Sequence, residues 1–130
     1  EAGKIQFLPR LVATSTKRGN PIVKSFKMNS RIIKDLGREE IKETKFNEPL
    51  TNWHAYDGQE ALDALYDSRG FADYASETKM IEFSKLLRQE EGLYVLPAAA
   101  STLAVMHALA DDKVTMKGTF AAVLTGRDFE

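Results

Sequence analysis

Short apolar, β-branched runs alternate along this chain with longer stretches in which apolar positions recur every three or four residues. The first pattern predicts strands and the second amphipathic helices. Arg10-Leu11-Val12-Ala13-Thr14-Ser15 is apolar through its middle rather than alternating, which predicts a strand buried on both faces. Lys17-Arg18-Gly19 turns the chain. Asn20 then stands as a helix N-cap before Pro21 in the first helical position, with Ile22, Val23 and Phe26 at helical spacing.

Between 28 and 52 the pattern weakens. Ile32, Ile33 and Leu36 predict a short helix stopped by Gly37, the run from 38 to 45 is highly charged, and the 28–52 stretch reads as an exposed, variable segment. A helix is predicted over 57–68, with Asp57 as cap and Ala61, Leu62 and Leu65 on one face, closed by Gly70. A short strand follows over 71–75. Ser76 caps a long helix striped by Met80, Phe83, Leu86 and Leu87, with Gly92 as its C-terminal stop. Residues 93–97 are expected to be extended, because a residue before proline is pushed out of the helical region.

Residues 98–110 carry six alanines around Leu103, Met106 and Leu109 and have no charged face, so this helix is expected to be central and buried on most sides. Asp111-Asp112-Lys113 turns the chain towards its last apolar run. Ala121-Ala122-Val123-Leu124 reads as a buried strand ending in Thr125-Gly126, which brings one hydroxyl and one bare backbone to a sheet edge of the kind where ligands bind. The alternation of strands and helices predicts an α/β fold, a mostly parallel sheet flanked by helices, with residues 1–130 forming one domain.

Composition alters this picture little. The chain has 130 residues, 43% hydrophobic and 28% charged, the make-up of an ordinary globular domain. Eighteen basic residues against nineteen acidic ones leave a formal charge of -1, so no global field favours nucleic acid. Cysteine is absent, which removes disulfides, thiolate metal sites and a cysteine nucleophile. No apolar run approaches the roughly 20 residues of a membrane helix. The chain is expected to be soluble and cytoplasmic, with no membrane or nucleic-acid partner. Because Glu1 is not a methionine, it is also expected to be a piece of something longer.

Little in the residue spacing points to chemistry. His54 and His107 have no metal-ligand spacing, and no metal site is expected. His107 reads as a packing residue, and His54 as part of a surface aromatic cluster with Trp53 and Tyr56. The adjacent pairs Glu39-Glu40 and Glu90-Glu91 point about 100° apart on a helix and read as solvated faces. Neither a Walker loop, a nucleophile elbow nor a dinucleotide fingerprint occurs.

Several segments nevertheless carry a resemblance. Glu90-Glu91-Gly92-Leu93-Tyr94-Val95-Leu96-Pro97-Ala98-Ala99-Ala100 resembles the Glu-Gly to Pro-Ala-Ser-Ala motif of fold-type II pyridoxal-phosphate enzymes, threonine synthases above all. Ala121-Ala122-Val123-Leu124-Thr125-Gly126 resembles that family's closing Leu-Thr-Gly strand. Upstream, Leu8-Pro9-Arg10-Leu11-Val12-Ala13, Asn20-Pro21-Ile22-Val23-Lys24-Ser25-Phe26 and the helix from Ala61 to Gly70 are similar to family segments in the same order.

The resemblance implies part of the large domain of a fold-type II enzyme, its C-terminal portion. It assigns Thr125 as the hydroxyl that hydrogen-bonds the pyridine nitrogen of pyridoxal 5'-phosphate, and Gly126 as the residue that keeps the backbone close. A neutral hydroxyl leaves that nitrogen largely unprotonated, which moderates the electron sink and suits β- and γ-replacement or elimination. The turn from Pro97 to Ala100 would line the pocket floor. The family's Schiff-base lysine and Gly-rich phosphate loop precede the matched segments, and no lysine here matches that position. No catalytic residue is therefore assigned, and this chain alone is not expected to bind the cofactor.

The chain departs from the family pattern in three places: Leu96 replaces a Glu, Ala99 replaces a Ser, and Arg127-Asp128-Phe129 follows Gly126. The resemblance implies a lyase of amino-acid biosynthesis that turns O-phosphohomoserine into threonine and phosphate, partnered by the rest of the enzyme or by self-association. The alternatives are a stand-alone, non-catalytic α/β binding module derived from such an enzyme, and a related ammonia-lyase or β-replacement enzyme.

Overall fold

The structure, a computed structural model, describes residues 3, 6–111 and 118–129. Its helices are α1 (Pro21–Lys27), α2 (Gly58–Asp67), α3 (Glu77–Glu91) and α4 (Ser101–Asp111), its strands β1 (Val12–Ser15) and β2 (Phe71–Tyr74). Single 3-10 turns lie at Arg38–Glu40 and Glu48–Leu50.

β1 and β2 pair in parallel, Val12 opposite Phe71 and Ser15 opposite Tyr74. The ladder runs one step further at each end, through Phe71 N–H to Leu11 C=O and Ala75 N–H to Ser15 C=O, both 2.8 Å. Helices cover both faces. On one, Ala13 and Ala72 pack with Val23 and Phe26 of α1 and Leu65 of α2. On the other, Phe71 packs with Met80 of α3 and Ala104, Val105 and Leu109 of α4. The expected α/β arrangement, a parallel sheet flanked by helices, is the one observed. β1 is less enclosed than its composition suggests: Val12 is exposed, and burial is complete only at Ser15.

Local signals place most helix ends. The Asn20 side chain accepts from Ile22 N–H at 2.9 Å and Val23 N–H at 3.2 Å, with Pro21 in the first turn. Ser76 Oγ accepts from Lys79 N–H at 3.3 Å, and Gly92 ends α3 in the left-handed region at φ 65°. Asp57 precedes α2, although its side chain caps no N–H. After α2 it is Arg69 that takes the positive φ. Gly70 serves close approach instead, since a Cβ there would lie 2.4 Å from the Leu11 carbonyl oxygen.

Four expectations are corrected. Residues 31–36 form no helix, because their N–H groups serve distant partners: Ile33 N–H bonds Gln59 Oε1 at 3.0 Å, Lys34 N–H bonds Ser25 Oγ at 3.2 Å, and Leu36 N–H bonds Trp53 C=O at 2.9 Å. The 28–52 segment is also not uniformly exposed, since Leu36 and Asn47 are buried within it. The alanine-rich helix begins at Ser101, after a turn over 97–100, and buries one side while His107, Ala108 and Ala110 face solvent.

The largest correction concerns 121–125, which take no regular structure and are exposed except for half-buried Leu124. A strand buried on both faces needs a ladder partner and helices above and below. Among the described residues the sheet contains only β1 and β2, and the terminal segment pairs instead with 94–96. The expected turn at 111–113 falls largely on residues outside those described.

Candidate functional site

The carboxyl end of β1 meets the start of α4. Thr14, pointing away from the α1 face, and Ser101 at the first position of α4 share a hydrogen bond, Thr14 Oγ1 to Ser101 Oγ at 2.9 Å. Ser101 is buried beside Ala98, Ala99 and Ala100. Small side chains allow this close approach. The turn is closed by Ala100 N–H to Leu96 C=O and Ser101 N–H to Ala98 C=O, both 3.2 Å, and Thr102 Oγ1 donates to Ala99 C=O at 3.2 Å.

Upstream of that turn, Ser84 Oγ on α3 donates to Val95 C=O at 2.7 Å and fixes the extended segment. Its other edge binds the chain's end in antiparallel fashion. Val95 bridges Arg127, Leu96 N–H bonds Gly126 C=O at 3.1 Å, and Asp128 N–H bonds Tyr94 C=O at 3.0 Å. Leu124 joins Leu96, Phe83 and Leu87 over the buried Val95, Ala99 and Ala100. Thr125 is thereby presented between two docked neighbours, itself exposed, and its hydroxyl bonds no other described residue. Gly126 lies directly on Leu96: a Cβ there would come within 2.9 Å of Leu96 Cδ1.

Other expected positions lie elsewhere. His54 sits between Trp53 and Tyr56, ring centroids 5.4 Å and 4.8 Å away, with Nδ1 2.8 Å from Asp35 Oδ2. This is the surface cluster anticipated. His107 is not a core residue; it is half-exposed, 5.5 Å from the Phe83 ring and 3.1 Å from Asp111 Oδ2. Glu90 and Glu91 are solvated, whereas Glu40 is engaged by Lys24 Nζ at 3.0 Å and by Gly37 N–H at 3.0 Å. These two contacts, Lys24 first, hold its carboxyl below the ordinary range. Burial, aided by Asp73, pushes the Tyr74 phenol up.

Sequence reasoning missed the Thr14 and Ser101 pair. A hydroxyl at the end of a strand and another at the head of an uncharged helix were the available signal. Two shallow clefts occur away from this edge, one of about 350 Å³ between Leu8, Leu11 and Ala64, the other of about 580 Å³ along Lys24, Ser25 and Lys34. Among the described residues no group of three metal-ligating side chains occurs, and no helix is long and apolar enough to cross a membrane.

No family model matches the chain. Against individual proteins, it is 29% identical over 114 residues to threonine synthase of Methanocaldococcus jannaschii, a match spanning 86% of this chain. The chain resembles threonine synthase. It spans about a quarter of that relative's length, 27%. The crystal structure of the T.th. threonine deaminase superposes on 92% of the chain and 40% of its own length, with a TM-score of 0.64 at 21% identity. The chain thus shares the α/β fold of that structure over 92% of its length, and the resemblance to threonine synthase read from its motifs is borne out.

Proposed function

We propose that this chain is the C-terminal part of the large domain of a threonine-synthase-like pyridoxal-phosphate enzyme, which converts O-phosphohomoserine and water into threonine and phosphate. The observation that carries this reading is the match to threonine synthase along 86% of the chain. The fold shared with threonine deaminase supports it independently. Activity would belong to the complete protein, working in the cytoplasm, with the remaining polypeptide as the chain's partner.

Within that enzyme Thr125 would hold the pyridine nitrogen and Gly126 would let the backbone approach. The residues fit such a group: the Thr125 hydroxyl has no bond to another described residue, and Leu124 and Gly126 on either side are seated. Pyridoxal phosphate, when bound, supplies the electron sink for elimination and replacement on an amino-acid substrate. The protein's part at this edge is positional. A neutral hydroxyl there would orient the ring without stabilising a protonated nitrogen as a carboxylate partner would.

The test uses the product of the full coding sequence. With pyridoxal phosphate present, O-phosphohomoserine-dependent release of phosphate and threonine is expected. Production of 2-oxobutyrate from threonine instead would assign an ammonia-lyase. No cofactor uptake by the complete protein would overturn the enzyme reading and leave the binding module.

A further inference from the structure

We propose that Leu96 is a positioning residue for Thr125, a role that rests on the cofactor contact assigned to Thr125 above. Four contacts converge on Leu96. Its N–H donates to Gly126 C=O at 3.1 Å, its C=O accepts from Ala100 N–H at 3.2 Å, its side chain joins Leu124 over Val95, Ala99 and Ala100, and its Cδ1 lies where a Cβ on residue 126 would come within 2.9 Å. The residue is thus tied on one side to the turn that starts α4 and on the other to the residue following Thr125.

The connection continues into the sheet. Ser101, directly after the turn, is bonded to Thr14 on β1 at 2.9 Å, so the turn cannot shift without breaking a partly buried hydroxyl pair. Thr125 has no comparable anchor of its own. It is exposed, and 121–123 before it are exposed and without regular structure. Its location is therefore inherited from its neighbours, Leu124 through the apolar cluster and Gly126 through Leu96. The bare Cα of Gly126 is part of the device, because a Cβ there would crowd the Leu96 Cδ1 methyl at 2.9 Å.

This arrangement has a consequence that plain packing lacks. Removing the Leu96 side chain should loosen Thr125 and cost what the Thr125 contact is worth, and nothing further once Thr125 is gone. The loss of one neutral hydrogen bond corresponds to about a fivefold change in affinity.

The experiment uses the complete protein carrying this chain and measures pyridoxal-phosphate affinity, the absorbance maximum of the bound cofactor and amide hydrogen exchange. Thr125→Ala and Leu96→Ala are each expected to weaken cofactor binding about fivefold, and the double variant no more than either alone. Leu96→Met should restore affinity. Exchange at the Asp128 amide should quicken in Leu96→Ala and not in Thr125→Ala. Additive losses in the double variant, or unchanged exchange at Asp128 in Leu96→Ala, overturn the positioning role. Unchanged affinity and absorbance in Thr125→Ala, with exchange still faster in Leu96→Ala, overturns the cofactor assignment and upholds the positioning role.

Discussion

Glu40 shows how a single side chain here ties two segments together. Its carboxylate accepts from Lys24 Nζ on α1 and from Gly37 N–H in its own turn, and both contacts favour the charged form. Folding therefore makes Glu40 a stronger acid. Its contribution to stability is present above the ordinary carboxylate range and is lost as pH falls through the lowered value. Glu40→Gln is expected to be less stable than the parent at neutral pH, with the gap closing in acid, as measured by urea denaturation at several pH values. Tyr74 has the opposite sign: its raised phenol contributes below the ordinary tyrosine range and loses that contribution as pH rises through the raised value. Leu62 gives the scale for apolar burial, being fully enclosed. Leu62→Ala should cost about 2–5 kcal/mol in chemical denaturation.

Among the elements, those defined by their own ends were legible in the sequence, while those defined by neighbours were not. α1 is set by Asn20 and Pro21, and α3 by Ser76 and Gly92, all within one turn of the helix they bound. Asn20→Ala should remove both cap bonds and lower stability by about 1 kcal/mol, read from a shifted denaturation midpoint with unchanged slope. The 31–36 segment failed because Ile32, Ile33 and Leu36 have helical spacing while Ser25, Gln59 and Trp53 claim its backbone N–H groups. α4 was recognised, but not which side it shows to water. An uncharged helix reads as buried all round, yet here α3 and the sheet cover only one side of it.

At the scale of the whole molecule, a two-stranded parallel sheet is marginal alone, because parallel strands normally lie inside larger sheets. Apolar side chains stand open along β1 and at the terminal segment. Leu8 is 68% exposed and Val123 70%, and Leu11, Val12, Leu93 and Tyr94 are each more than two-fifths exposed. The isolated chain is therefore expected to self-associate, with a sedimentation coefficient that rises with concentration. A concentration-independent monomer would contradict this. The same exposure is what the proposed function requires, since a match to 27% of a relative leaves surfaces for the rest of such a protein to cover.

By itself the sequence determined the alternation of strands and helices, the caps of α1 and α3, and the motifs through which the chain resembles threonine synthase. Each depends on residues close together along the chain, where local dihedral preference and side-chain capping decide the outcome. Only the tertiary structure decided where Thr125 stands. The apolar run before it has the composition of an interior strand, but a strand exists only with ladder partners, and in the described residues the terminal segment finds Tyr94 and Leu96 rather than the sheet. The same structure brought Leu96 under Gly126 and joined Thr14 to Ser101 across 87 residues. No local pattern encodes such contacts, because they depend on which surfaces remain free once the helices have packed.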